Sequence, residues 1–274
     1  MPVIATNTAA NSAVRYLNIN AAAQSSSLSK LASGSRIAQA SDDAAGLAIS
    51  TRVQSDVATL GQAATNATNA IAVLQTADGG ASNISDILQR MKVLATESAS
   101  GTVTDTERTY IDEEFGALVD QIDTIASGTR FNSESLLTAN NMFSSGVTVM
   151  VGSSSSDTIS ITLSALDSTT LGVNSLDVTS QSNANDALTA LDTAISTVSQ
   201  ARASIGAQES QFQFSSESIA TQIENLEAAN SAIADVDVAA EEAKLASSQV
   251  MVQAAVAAAS SANSLTQNLL KLMQ

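Results

Sequence analysis

The chain has 274 residues and a formal net charge of −16, a balance that opposes partners which attract clustered Lys and Arg, namely nucleic acid and anionic membrane surfaces. It has neither Cys nor His, which removes disulfides, thiol nucleophiles, histidine bases and the commonest transition-metal ligands together, and leaves no constellation for catalysis, cofactor or metal binding. Aromatics are 3% of residues and much of the 44% hydrophobic fraction is Ala, so a thick core is excluded and long, thin helical packing is expected.

The first residues, MPVIATNTAANSAV, lack a basic stretch followed by an apolar one, so they do not read as a classical signal peptide. No apolar run approaches the roughly 20 residues that span a bilayer. Heptad spacing then begins: Val14, Leu17, Ala21, Leu28 and Leu31 alternate steps of three and four, with Gln24 at one seam position, and Gly34 suits a helix C-cap. Ser41, Asp42 and Asp43 read as the N-cap and acidic first turn of a second helix. Its seam is Val53, Val57, Leu60, Ala64, Ala67, Ile71 and Leu74, and Asp78-Gly79-Gly80 is expected to end it. Two shorter helices follow, one carrying Ile84, Ile87, Met91 and Leu94, the other Ile111, Phe115, Leu118, Ile122 and Ile125.

Between residues 140 and 180 the texture becomes Ser, Thr, Gly and β-branched. Val147, Val149 and Val151 alternate with their neighbours, as do Ile159, Ile161 and Leu163, which predicts a β-hairpin in an outlying, acidic and solvated module. Leu191, Val198, Ile205, Phe212, Ile219, Leu226 and Ile233 then recur at every seventh residue. A helix over 185–232 is about 70 Å long, more than the diameter of about 50 Å of a compact globule of this size, so an elongated shape is expected. After Asp235 and Asp237 a last seam runs Met251, Ala255, Ala258, Ala262, Leu265, Leu269 and Leu272. It reads as a surface for partner helices, since its nearly uncharged flanks do not suit a membrane anchor.

The ends are electrically complementary. Residues 1–41 carry Arg15, Lys30 and Arg36 with no acid, whereas Glu209, Glu217, Glu224, Glu227, Asp235, Asp237, Glu241 and Glu242 fill 203–243 with no base. The fold class expected is therefore mainly α: a long antiparallel coiled-coil or helical bundle with paired terminal helices, plus a small β-hairpin module. The division expected is 1–40 with 236–274, 41–140 with 185–235, and 141–184 as the short variable outer segment. Asp42 with Asp43, and Asp235 with Asp237, sit at helix boundaries, where capping explains them better than metal or acid-base chemistry.

The stretches LSKLASGSRIAQASDDAAGLAIS (28–50), LQRMKVLATES (88–98) and TRFNSESLL (129–137) resemble the N-terminal half of bacterial flagellin. The resemblance resumes near VGSSSSDTISI and continues through SAIADVDVAAEEAKLASSQV to SANSLTQNLLKLM, leaving roughly 140–185 weakly matched. Ala232, Ser133 and Thr266 depart from residues common in that family, usually Arg, Gly and Pro. The resemblance implies a non-enzymatic filament subunit, a helical homopolymer for motility. It implies export unfolded through the flagellar type III apparatus and a place outside the cell. Val14, Leu17, Leu28, Leu31, Met251, Leu265, Leu269 and Leu272 are then expected as polymerisation seams. An export chaperone and a cap protein are expected partners. Gln89, Arg90, Leu94 and Glu114 match positions on the surface that the innate receptor, Toll-like receptor 5, binds in some flagellins. A hook-filament junction protein and a non-flagellar coiled-coil scaffold are the alternatives.

Overall fold

The structure is a computed structural model that describes the backbone of residues 6–272; the side chains of Thr266 and of 269–272 lie outside the described residues. Among the described residues five helices, α1 (Thr8–Ser33), α2 (Ala44–Ser98), α3 (Asp105–Gly128), α4 (Gln181–Ala234) and α5 (Val238–Leu272), and four short strands, β1 (Arg130–Phe131), β2 (Glu134–Ser135), β3 (Val147–Met150) and β4 (Thr158–Ile161), follow in chain order. The mainly α class with a small β component is as expected. The chain divides into two units, 1–55 with 225–274 and 56–224.

In the first unit α1 packs on α5. The Asn7 side chain caps α1 by accepting from the Ala10 N–H at 3.0 Å, and Gly34 ends it at φ 70°, where a Cβ would be strained. Asp43 Oδ1 accepts from the Gly46 N–H at 2.8 Å and caps α2, and Asp237 Oδ1 does the same for α5 through Ala240 at 3.1 Å. Asp42 serves the loop instead, its Oδ2 accepting from the N–H groups of Ala38 and Gln39 at 3.1 and 3.0 Å. The two connections meet in an isolated antiparallel bridge between Ser35 and Asp235. The Arg36 N–H donates to the Ala234 carbonyl at 2.6 Å, that of Val236 to Gly34 at 3.1 Å, and the Arg36 guanidinium to the Ile233 carbonyl at 2.6 Å.

The second unit holds the core. Leu60, Ala67 and Leu74 of α2, Phe115 and Ile122 of α3, and Leu191, Val198, Ile205, Phe212 and Ile219 of α4 are buried, following the heptads read from the sequence. One expectation fails at α2, which runs unbroken through Asp78, Gly79 and Gly80 and absorbs the helix expected around Ile84 and Met91. Ala77, Ala81 and Ile84 stay in register with the buried stripe, and Asp78 is paired with Arg202 of α4, Nε to Oδ1 at 2.8 Å. Burial and a tertiary ion pair outweigh the local preference of Gly-Gly for a turn.

The turn from α2 to α3 is fastened by Arg108, a buried side chain that donates to the carbonyls of Ser98 at 2.8 Å and Ser100 at 2.9 Å and pairs with Asp105 at 2.7 Å. Thr104 and Glu107 form a capping box at the start of α3. β1 and β2 make a hairpin absent from the sequence reading, turning through Asn132 at φ 50° and Ser133 at φ 71°. β3 pairs antiparallel with β4, Val147 opposite Ile161 and Val149 opposite Ile159, as the alternation predicts. The segment around this hairpin is not solvated throughout, as the sequence reading expects, but packed on the helices. Leu137, Phe143, Ile161, Leu163, Leu166, Leu171, Val173 and Val178 belong to the main buried cluster. Asp123 of α3 accepts from the Ser168 N–H and hydroxyl at 2.8 Å, and Asp112 from the Val178 N–H at 2.8 Å, so two acids of α3 pin this segment to the helices.

Candidate assembly surface

Two facing stripes define the pair of terminal helices. On α1 the covered positions are Ala10, Ala13, Leu17, Asn20, Gln24, Ser27 and Leu31, and on α5 they are Glu241, Leu245, Ser248, Val252, Ala255, Ala259 and Ala262. Each repeats in alternate steps of three and four, as an antiparallel coiled coil requires. The stripes are poor in large apolar side chains. Hydrogen bonds anchor both ends: Asn7 Nδ2 donates to the Ala262 carbonyl at 3.0 Å, and the Ser27 hydroxyl donates to Glu241 Oε1 at 2.7 Å. Lys244 donates to the other oxygen, Oε2, at 3.0 Å. These bonds, Ser27 foremost, hold the Glu241 carboxyl below its usual 4.5, against the opposing effect of burial, and the charge of Lys30 adds a smaller push in the same direction.

The residues that spacing selects in the sequence divide between this seam and the outside. Leu17 and Leu31 are half-buried in the seam, whereas Val14 is 46% exposed and Leu28 58% exposed. On α5 Ala255 and Ala262 face inward as read in the sequence, but Val252 and Ala259 take the places expected of Met251 and Ala258, and Met251 and Leu265 are 43% and 64% exposed. The side chains of Leu269 and Leu272 lie outside the described residues. Tyr16, Ile19, Val250 and Val256 extend the exposed apolar set on the same two helices. Each helix thus carries a small, partly polar stripe facing its partner in the chain and a bulkier apolar one facing outward.

In the second unit Arg90 and Glu114 join α2 to α3 by a surface ion pair, Nη2 to Oε1 at 2.6 Å, and Gln89 is exposed beside it. Leu94 is 2% exposed and belongs to the core, so it presents nothing to a partner of this conformation. Sequence reasoning missed Ser27, Ser248 and Glu241 as seam residues. Their heptad spacing was the available signal, but apart from Gln24 the terminal seams are read from apolar residues.

Residues 4–142 match the family described as the bacterial flagellin N-terminal helical region, and residues 188–273 match the bacterial flagellin C-terminal helical region. This chain belongs to the bacterial flagellins. It is 33% identical over 274 residues to the flagellin of Halalkalibacterium halodurans, covering 99% of this chain and 100% of that one. It is 32% identical to the flagellar filament 30.7 kDa core protein of Treponema maltophilum, covering 94% and 95% of the two chains. The crystal structure of Bacillus cereus flagellin superposes with a TM-score of 0.52 at 31% identity, covering 61% of this chain and 94% of that one. A structure described as a flagellar hook-associated protein from Vibrio parahaemolyticus gives 0.58 at 16% identity over 70% and 99%, a likeness of fold alone. As a flagellin the chain is a structural filament subunit and not an enzyme, and it polymerises with copies of itself. No helix among the described residues is long and apolar enough to cross a membrane.

Proposed function

We propose that the outward stripes of α1 and α5, with Val14, Leu28, Met251 and Leu265 on them and Leu269 and Leu272 continuing the spacing, are polymerisation seams covered by neighbouring copies in the filament. The observation that carries this reading is that the α1·α5 pair leaves Val14, Leu28, Val250, Met251, Val256 and Leu265 exposed, outside a contact in which Leu17, Leu31, Leu245 and Val252 lie among Ala, Ser, Asn, Gln and Glu. Exposed apolar stripes of this kind mark association surfaces. Residues 1–40 with 236–274 then form the innermost layer, 41–140 with 185–235 the surrounding one, and 141–184 the outer segment. The Cys-free chain and its sparsely packed terminal pair suit passage, unfolded, through the flagellar type III apparatus to the outside of the cell. A chaperone that shields the terminal helices and a cap protein at the growing end complete the set of partners. The test is the variant Val14→Asp with Leu28→Asp: seeded solutions yield no filaments by electron microscopy while circular dichroism keeps its helical signal. Filaments of normal length from this variant refute the assignment.

A second reading concerns Gln89, Arg90 and Glu114, whose exposed ion pair offers a charged, preformed contact for Toll-like receptor 5. Monomer is expected to elicit receptor signalling, and Arg90→Ala to weaken it. Equal silence from both ends that reading.

A further inference from the structure

The pair formed by α1 and α5 has a problem of register. Counting inward from the anchors at Asn7 with Ala262 and Ser27 with Glu241 places Ala10 opposite Ala259, Ala13 opposite Ala255, Leu17 opposite Val252, Asn20 opposite Ser248 and Gln24 opposite Leu245. The half towards the chain ends is thus Ala against Ala, a surface that repeats itself. A slip of one heptad sets Ala13 against Ala262 or Ser248 and changes the apolar area covered there by little. Small apolar residues bring the two backbones together without specifying which turn meets which.

The polar end of the seam behaves differently. Ser27 and Glu241 are 6% and 7% exposed, and the carboxylate has both oxygens occupied, one by the Ser27 hydroxyl and one by Lys244. A heptad slip puts Asn20 or the helix end at Gly34 opposite Glu241, and Ser248 or Ala234 opposite Ser27. In the slip that brings Gly34 opposite, the buried carboxylate loses the Ser27 hydroxyl with no donor in its place and keeps only Lys244 of its own helix, a greater loss than that of an Ala that exchanges one Ala neighbour for another. Single polar residues in otherwise apolar seams are known to select register in this way.

We infer that Ser27 and Glu241, supported by Lys244, are the specificity-determining residues that carry the alignment begun at the Ser35–Asp235 bridge into the α1·α5 pair and hold its register. The apolar residues of the seam hold the helices together, and the hydrogen-bonded carboxylate chooses one alignment among those that the Ala repeats allow. Register matters to a filament subunit because it decides which outward residues of α1 and α5 lie side by side. A slipped pair is still a helix pair but displays a different surface.

The absence of native Cys makes the test direct. Two reporter chains are oxidised under the same conditions, one with Ala13→Cys and Ala255→Cys for the native register, the other with Ala13→Cys and Ala262→Cys for the slipped one. In the parent background the native reporter is expected to cross-link at least tenfold more than the slipped one. Ser27→Ala with Glu241→Ala brings the two yields within about twofold, and Ser27→Thr, which keeps the hydroxyl, retains the preference. Val252→Ala, which thins the same seam without touching the polar set, lowers both yields and leaves their ratio. If the double variant gives neither product, Ser27→Ala alone carries the comparison. An unchanged ratio on loss of Ser27 and Glu241, an equal change with Val252→Ala, or no preference in the parent overturns the inference.

Discussion

At the scale of single residues, Glu241 and Ser133 carry tests that need no assembly. Glu241 is charged inside a seam, and its partners hold its pKa below 4.5. A carboxyl whose folded pKa is depressed contributes stability that is complete above its ordinary pKa and is lost as pH falls through the lower folded value. Acidification below about pH 4.5 should therefore weaken the α1·α5 pair before other effects of acid are complete. In chains carrying Glu241→Gln, that share of the acid sensitivity disappears, which helix melting followed across pH by circular dichroism reads directly. Ser133 presents the opposite situation, a residue placed where its backbone is unfavourable. The β1–β2 turn has positive φ at both central residues, 50° at Asn132 and 71° at Ser133, the geometry in which Asn-Gly is preferred. Ser133→Gly removes a Cβ from the left-handed region and should raise stability by about 0.5–1 kcal/mol, seen as a higher denaturant midpoint. A lower midpoint would mean that the turn geometry is not what limits this hairpin.

At the scale of elements, α2 shows what periodicity can and cannot reveal. The adjacent glycines inside it are asymmetric. A Cβ on Gly79 meets nothing within 4 Å, whereas one on Gly80 comes within 2.8 Å of Leu137 Cδ1 and closer still to the Thr129 hydroxyl. Gly79→Ala should then stabilise the helix by about 0.5–1 kcal/mol through propensity. Gly80→Ala should destabilise the second unit by about 1–3 kcal/mol through overpacking against the 129–137 segment. Denaturant midpoints that move in the same direction for both variants would contradict this account. The sequence shows Gly79-Gly80 as a stop because the reason for Gly80 lies some fifty residues downstream, in side chains that no local window contains. Residues whose burial follows a heptad, such as Leu191 to Ile219 of α4 and Leu60 to Leu74 of α2, were legible because one helix face alone determines them. Arg108, Asp112 and Asp123 were not: Arg108 is bonded to carbonyls of the α2–α3 turn and the two acids to N–H groups of a distant segment, and such bonds leave no spacing to read. On α1 and α5 the heptad was visible but its phase was not. Each helix carries two stripes at heptad spacing, and the burial of Ser27, Glu241 and Ser248 with the Ser27–Glu241 and Asn7–Ala262 bonds identifies the one that faces inward.

At the scale of the whole chain, the two units differ in how much each buries by itself. The largest fully buried side chains, Phe115, Phe212, Leu60, Leu74, Ile84, Leu88, Met91, Ile122, Leu136, Leu137, Ile161 and Leu166, all belong to the second unit. Among the described residues of the first, the buried apolar ones are Ile37, Ala234 and Ala255. A fully buried Leu or Phe contributes about 1.5–3 kcal/mol, and ordering the backbone opposes folding by about 1–2 kcal/mol per residue. The second unit can meet that cost from its own core. The first has less burial among its described residues, so its terminal pair should be only marginally stable in the free chain and gain stability as adjacent copies cover the outward stripes. Leu17→Asp places a charge in the middle of the seam, opposite Val252, and removes one of its few large aliphatic side chains. The expected result is loss of seeded filament growth, with the main calorimetric transition of the second unit within about 2 °C of the parent, as befits a change that touches none of its core. Normal filaments from Leu17→Asp would show that the α1·α5 seam is dispensable for assembly. A large fall in the main transition would show instead that the two units do not unfold separately.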